Sequence, residues 1–165
     1  MIVVVNDASI LFDILETDIS DEFFCLPFKM YTSDLVSSEI KGEFLKLFQN
    51  YVRNKMINIY NFSSEEWNEV VDLSHHYPTV SQSDCSCLWL CQHLSAMLLT
   101  GDKKLKNVAS GKHIRVHGTI WIFEQLISHK KIRPREASNK LDELIKINPR
   151  LPRNECFKKI KEWKS

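Results

Sequence analysis

The hydrophobic pattern begins with Ile2-Val3-Val4-Val5, a β-branched run without alternation, which predicts a central parallel strand buried on both faces. It stops at Asn6-Asp7, and Ile10, Leu11, Ile14 and Leu15 then recur at helical spacing behind Asp7 or Ser9 as the cap. A second extended piece covers Phe28 to Thr32. Behind Ser33 or Asp34 as cap, one helix carries Leu35, Val36, Ile40, Phe44, Leu45 and Phe48. Alternation over 57–62 predicts a third strand, and Ser63-Ser64-Glu65-Glu66 a helix start ahead of Trp67, Val70, Val71 and Leu73. Pro78 breaks that helix. Ser83 is then the expected cap of a helix rich in Leu88, Trp89, Leu90 and Leu94. The short apolar run Ala96 to Thr100 predicts a fourth strand ending at Gly101-Asp102. Lys103 to Ala109 suits a short helix, Ile114 to Val116 a last strand, and Gly118 to His129 a helix.

Strands alternating with helices predict an α/β fold with a parallel central sheet and helices on both faces. From Pro134 onward the pattern is wholly helical. Ala137, Leu141, Leu144 and Ile145 precede a Pro-Arg-Leu-Pro break, and Phe157, Ile160 and Trp163 follow it. The expected organisation is one domain over residues 1–132 and a C-terminal helical extension over 133–165, packed on or beside it.

Composition narrows the picture. In 165 residues, 22 Lys plus Arg stand against 21 Asp plus Glu, a net charge of +1. No global field therefore draws the chain onto nucleic acid or membrane, and any attraction is local. At 44% hydrophobic and 26% charged, collagen-like and wholly disordered readings are excluded. A chain of this length buries roughly two-thirds of its unfolded surface and needs no disulfide or metal staple. Cys25, Cys85, Cys87, Cys91 and Cys156 are odd in number and irregular in spacing, which fits reduced thiols better than a disulfide framework. The N-terminal apolar run meets Asp7 too early for a signal peptide, and no run approaches the ~18 residues that span a bilayer. A soluble, cytoplasmic protein without membrane attachment is expected.

The chemistry lies in the positions of the acids. Ligands of open parallel sheets bind beyond the carboxyl ends of the strands. Asp7 lies just past the first strand and Asp102 just past the fourth. Glu39 falls in the first turns of the helix after the second strand, and Asp84 at the start of the helix before the fourth. Four carboxylates from distant parts of the chain thus converge on one sheet end. Together they repel, which raises their pKa values unless a cation neutralises them. A hard ion, Mg²⁺ or Mn²⁺, suits an all-oxygen cluster; it can activate a water and clamp a phosphodiester oxygen. Singly, each acid is explained equally well as a helix cap. Convergence of all four is what points to function.

At these residues the chain resembles a known family. Val-Val-Asn-Asp-Ala-Ser-Ile-Leu (4–11) is similar to the opening motif of PIN-domain nucleases, with Asp7 as its first acid. Asp-Leu-Val-Ser-Ser-Glu-Ile (34–40) resembles the second motif, Ser-Gln-Ser-Asp-Cys-Ser-Cys-Leu-Trp-Leu-Cys (81–91) the third, and Leu-Leu-Thr-Gly-Asp-Lys-Lys-Leu (98–105) the fourth. The stretch from Val108 to Ile132, with His117-Gly118-Thr119-Ile120, resembles the end of that domain, in particular of small prokaryotic members that include VapC-type toxins. The resemblance implies a single PIN-like domain with a Rossmann-like sheet, and a metal-dependent ribonuclease acting on single-stranded or structured RNA, blocked by a cognate antitoxin and commonly a homodimer. It implies that Asp7, Glu39, Asp84 and Asp102 hold Mg²⁺ or Mn²⁺ while Thr100 orients the ligands or the attacking water. The chain departs from the pattern in two places. Cys87 and Leu88 stand where many relatives carry a further acid, and Gly101-Asp102 stands where others have an Asp-Asp pair. Both departures remove ligands for a second metal. The alternative they raise is a weak or inactive PIN-like module that binds RNA or protein.

Other residues have plainer explanations. Cys85, Cys87, Cys91 and His93 lack the paired spacing of a zinc site and suit a buried helix. His75 and His76 fall at a helix end, where the dipole favours them. His117 lies near the last strand, where a site role and a packing role are equally open. Trp67, Trp89, Trp121 and Trp163 sit at apolar helical positions. Lys103, Lys104, Lys106 and Lys112 form a basic run beside Asp102, where a phosphate backbone would pass, and Lys103 and Lys104 are the candidate RNA contacts. The cations from Arg150 to Lys164 fit RNA, an acidic partner segment or plain solvent exposure. No G-x-G-x-x-G or P-loop motif follows any strand, so dinucleotide and P-loop chemistry lack support.

Overall fold

A computed structural model describes residues 1–165 throughout. Strand β1 (Ile2–Asn6) leads into α1 (Ala8–Glu16) and the short α2 (Ser20–Phe24). Then follow β2 (Phe28–Ser33), α3 (Asp34–Glu39), α4 (Glu43–Arg53), β3 (Asn58–Tyr60), α5 (Ser64–His76) and α6 (Gln82–Leu94). The second half comprises β4 (Met97–Leu99), α7 (Lys103–Gly111), β5 (Val116–His117), α8 (Thr119–Ser128), α9 (Pro134–Ile147) and α10 (Arg153–Lys164).

The five strands form one parallel sheet in the order β3-β2-β1-β4-β5. The chain starts in the middle, winds outward to β3, then returns to the other side of β1 at β4. The change of direction falls between β1 and β4, and an open sheet offers its ligand crevice at such a switch point. Val4 and Val5 are fully buried, as a strand covered on both faces requires. Register sets Asn6 beside Leu99, so Asp7 and Thr100 leave the sheet side by side.

Four local expectations need correction. Residues 33–48 form two helices: Gly42, at φ +68° and ψ −140°, breaks the chain between α3 and α4. The apolar period conceals the break because Ile40 and Phe48 are both buried on either side of it. The cap of α6 is Ser81, not Ser83. Ser81 Oγ accepts the Asp84 N–H at 3.0 Å and the Asp84 carboxylate accepts the Ser81 N–H at 3.0 Å, a reciprocal capping box. The last strand lies at Val116–His117, two residues beyond its expected start, and β3 is shorter than the alternation over 57–62 implied. Helix α2, five residues that bury Phe23 and Phe24, carries no period long enough to read.

One apolar cluster runs from the sheet into the C-terminal helices. Ala137, Leu141 and Leu144 of α9 and Cys156 of α10 are fully buried, and the rings of Phe123 and Trp163 lie 6.2 Å apart. Ser138 Oγ donates to the Ile160 carbonyl at 3.1 Å, tying α9 to α10. No helix is long and apolar enough to cross a membrane.

Candidate active site

Asp7 is the cap of α1, in extended backbone at φ −78° and ψ 159°, and only 3% of its surface is exposed. Its N–H continues the β1–β4 ladder to the Leu99 carbonyl at 3.0 Å. One carboxylate oxygen accepts the Ala8 N–H at 2.7 Å; the other accepts the hydroxyls of Thr100 at 2.7 Å and Ser9 at 2.9 Å. Burial raises its pKa above the ordinary Asp value. The Thr100 and Ser9 hydroxyls oppose that rise, and the charge of Asp84 adds to it.

Thr100 and Ser9 stitch two turns together. Thr100 Oγ1 donates to Asp7 and accepts the Asp102 N–H at 3.0 Å; Ser9 Oγ donates to Asp7 and accepts the Gly101 N–H at 3.0 Å. Asp102 caps α7 with one oxygen on the Leu105 N–H at 2.9 Å. Ser9 is a member of the site that sequence offered only as a possible cap, although a small hydroxyl two residues past a strand-end acid is the available signal.

Glu39 is the last residue of the six-residue α3 and is exposed. Lost hydration raises its pKa, and the charges of Asp7 and Asp84 raise it further. The neighbouring Ser83 hydroxyl favours its charged form without making a hydrogen bond of normal geometry, which leaves Ser83 Oγ buried and unpartnered. Asp84 is half-buried in the first turn of α6. The structure therefore brings Asp7, Glu39 and Asp84 into one another's field, and joins Asp102 to them through Thr100.

No three His, Cys, Asp or Glu side chains stand close enough to hold a metal ion directly. Hydrated Mg²⁺ asks for less, since it keeps several waters and is held through one or two carboxylates. The donor set is all oxygen and anionic. Both oxygens of Glu39 and one oxygen each of Asp84 and Asp102 have no protein hydrogen bond. Beneath the acids, Asn6 Oδ1 and Ser83 Oγ are buried without partners. These residues fit a hydrated hard cation.

The remaining candidates fall elsewhere. Cys85, Cys87 and Cys91 are buried in α6, and burial pushes the Cys85 thiol up to about 11, with Cys87 and Cys91 pushed higher still. His93 stacks on Trp89 with centroids 4.6 Å apart, and His117 on Trp121 at 4.3 Å. Burial, then the charge of Arg115, lowers the His117 pKa. Lys103 lines a cleft that opens at Thr100 and Gly101. Lys106 lines it too, while the exposed Lys104 does not.

A family model described as PIN domain matches residues 3–165, nearly the whole chain. The chain belongs to the PIN-domain family. Among solved structures, VapBC-1 from nontypeable Haemophilus influenzae is similar at a TM-score of 0.50 and 10% identity, over 71% of this PIN domain and 98% of that chain. PAE2754 from Pyrobaculum aerophilum is similar at 0.50 and 11%, over 77% and 98% respectively. Identities this low speak for the fold alone, which is the PIN arrangement of a parallel sheet between helices. A search of curated proteins finds no match. Family membership places this PIN domain among proteins that are generally nucleases, and the family model continues through α9 and α10.

Proposed function

We propose that this PIN domain is a metal-dependent endoribonuclease that hydrolyses RNA phosphodiester bonds, and that it is the toxin of a toxin–antitoxin pair. One observation carries the reading. A buried carboxylate, Asp7, is held by two hydroxyls at the sheet's switch point, within the field of Glu39 and Asp84 and one hydroxyl away from Asp102. Such an arrangement costs stability and contributes no packing, so its use lies in binding positive charge.

Asp7, Glu39, Asp84 and Asp102 would hold Mg²⁺ or Mn²⁺. When bound, the ion supplies an activated water and neutralises charge on the phosphodiester. Ser9 and Thr100 keep the Asp7 carboxylate in one orientation. Glu39, exposed at the sheet end, would hold the ion and be placed to take up a proton from a water beside it. The similarity to VapBC-1 supports a cognate antitoxin as partner here, and a homodimer is proposed beside it.

A second reading has its own support. No three acids converge to chelating distance, and Cys87 and Leu88 bring nothing but apolar surface to the third motif. On that reading the protein is a PIN-like RNA- or protein-binding module without turnover. Incubating a mixed single-stranded RNA pool with purified protein in Mn²⁺ or Mg²⁺ separates the two. Cleavage that disappears with EDTA and in Asp84→Asn is the expected result. Mn²⁺ binding without cleavage establishes the binding module instead.

A further inference from the structure

The C-terminal helices do more than cover the core. A cleft of about 750 Å³ opens at Ser9, Thr100 and Gly101 and runs between α1, α7 and the turn that joins α9 to α10. That volume is within the ~300–1,000 Å³ of ligand clefts. Lys103 and Lys106, one turn apart on α7, line one wall, and Arg150 lines the other. None of the three makes an ion pair; the pairs of this protein involve Lys140, Lys146 and Lys159.

The turn that carries Arg150 is built, not loose. Asn148 Nδ2 donates to Asp13 at 2.7 Å, and Asn148 Oδ1 accepts the Arg150 N–H at 3.0 Å. The other oxygen of Asp13 accepts the Thr119 hydroxyl at 2.9 Å. One buried carboxylate thus ties α1, the start of α8 and the α9–α10 turn together, and fixes Arg150 across from α7.

We propose that this cleft is a substrate subsite in which Lys103, Lys106 and Arg150 hold RNA phosphates beside the scissile bond while Ile147 carries a base; it rests on the nuclease reading above. Ile147, at the end of α9, is 55% exposed and lines the cleft, a large apolar side chain with nothing packed over it. The indole of Trp121 also lines the cleft but is already stacked on His117 at 4.3 Å and Phe28 at 5.7 Å. Asn107 also lines the cleft and makes no side-chain hydrogen bond in the protein, so its amide is free for a base edge. Charge bounds the subsite. Glu16 lies seven residues beyond Ser9 on α1, roughly 10 Å further along the wall, and Glu155 joins it in the lining. Asp13, four residues past Ser9, lines the cleft as well, but its oxygens are taken by Thr119 and Asn148 and it is 4% exposed, so Glu16 and Glu155 are the carboxylates that limit the subsite to a short segment.

The test uses the Asp84→Asn protein in Mg²⁺, which does not consume its probe, and a fluorescently labelled single-stranded RNA titrated between 50 and 200 mM salt. Adding Arg150→Ala or Lys106→Ala should weaken binding several-fold, and each should flatten the log–log salt slope by about 0.7. Arg150→Lys should restore the slope. Lys161→Ala, an exposed cation on α10 outside the cleft, should change neither. Unchanged affinity and slope in both Arg150→Ala and Lys106→Ala overturn the subsite. Binding of a polyglutamate peptide that depends on Arg150, with no RNA binding, also overturns it and makes the cleft a protein-docking site. Cleavage by the parent protein, assayed alongside, separates the two claims. Cleavage with Arg150-independent binding leaves the nuclease standing and removes the subsite, while Arg150-dependent binding without cleavage removes the nuclease and leaves the cleft an RNA-binding site but not a substrate subsite.

Discussion

Asp13 is a buried carboxylate outside the catalytic cluster, and its chemistry is written in the stability of the fold. It is 4% exposed, and burial pushes its pKa up to about 6 against the hydrogen bonds from Thr119 and Asn148. A raised folded-state value means that the native protein binds this proton more tightly than the unfolded chain does. The stabilisation is therefore complete below about pH 4 and is lost as pH rises through about 6. A two-unit shift corresponds to about 3 kcal/mol. Asp13→Asn removes the titrating charge and keeps both partners, since its amide can donate to Thr119 while its oxygen accepts from Asn148. Thermal unfolding followed from pH 4 to 7 should show the wild type losing stability relative to Asp13→Asn across that window. Parallel profiles would mean that Asp13 binds its proton equally well in the native and unfolded states, so that burial does not raise its pKa. Nothing in the sequence near Asp13 signals this role, because its partner Asn148 lies 135 residues away.

At the level of elements, the sheet and most helices were legible because apolar period and capping residues agree over long windows. Where the reading failed, one residue overrode the period. Gly42 adopts φ +68° with ψ −140°, near a region that is essentially closed to residues with a Cβ. No atom lies within 4 Å of where its Cβ would be, so any cost of substitution is backbone strain and not a clash. Gly42→Ala should destabilise the protein by about 1–3 kcal/mol. Gly111→Ala, also in open space but helical, should be neutral or stabilise it by up to about 1 kcal/mol. Urea denaturation of both variants decides this, and equal effects would show that the break between α3 and α4 does not depend on glycine. The break matters to the site because it ends α3 at Glu39 and leaves that carboxylate exposed at the sheet end.

Across the whole molecule, the approach of Asp7, Glu39 and Asp84 was legible because the order of strands predicts which ends they share. Their linkage was not. The hydrogen bond from Thr100 to Asp7 spans 93 residues and depends on β1 and β4 becoming neighbours through the crossover at the centre of the sheet. That architecture gathers like charges: burial raises the pKa values of Asp7 and Glu39, and the charge of Asp84 adds to both. The fold should therefore be more stable when the repulsion is removed by either of two routes. Mn²⁺ should raise the melting temperature of the wild type, with about 2.7 kcal/mol gained at a hundred times Kd. Asp7→Asn should melt higher than wild type in EDTA, because asparagine is an equally good helix cap and carries no charge. The same variant should respond less to Mn²⁺ and should not cleave RNA. If Asp7→Asn instead melts lower in EDTA while keeping the full Mn²⁺ response, Asp7 is a structural cap and the cation is held elsewhere.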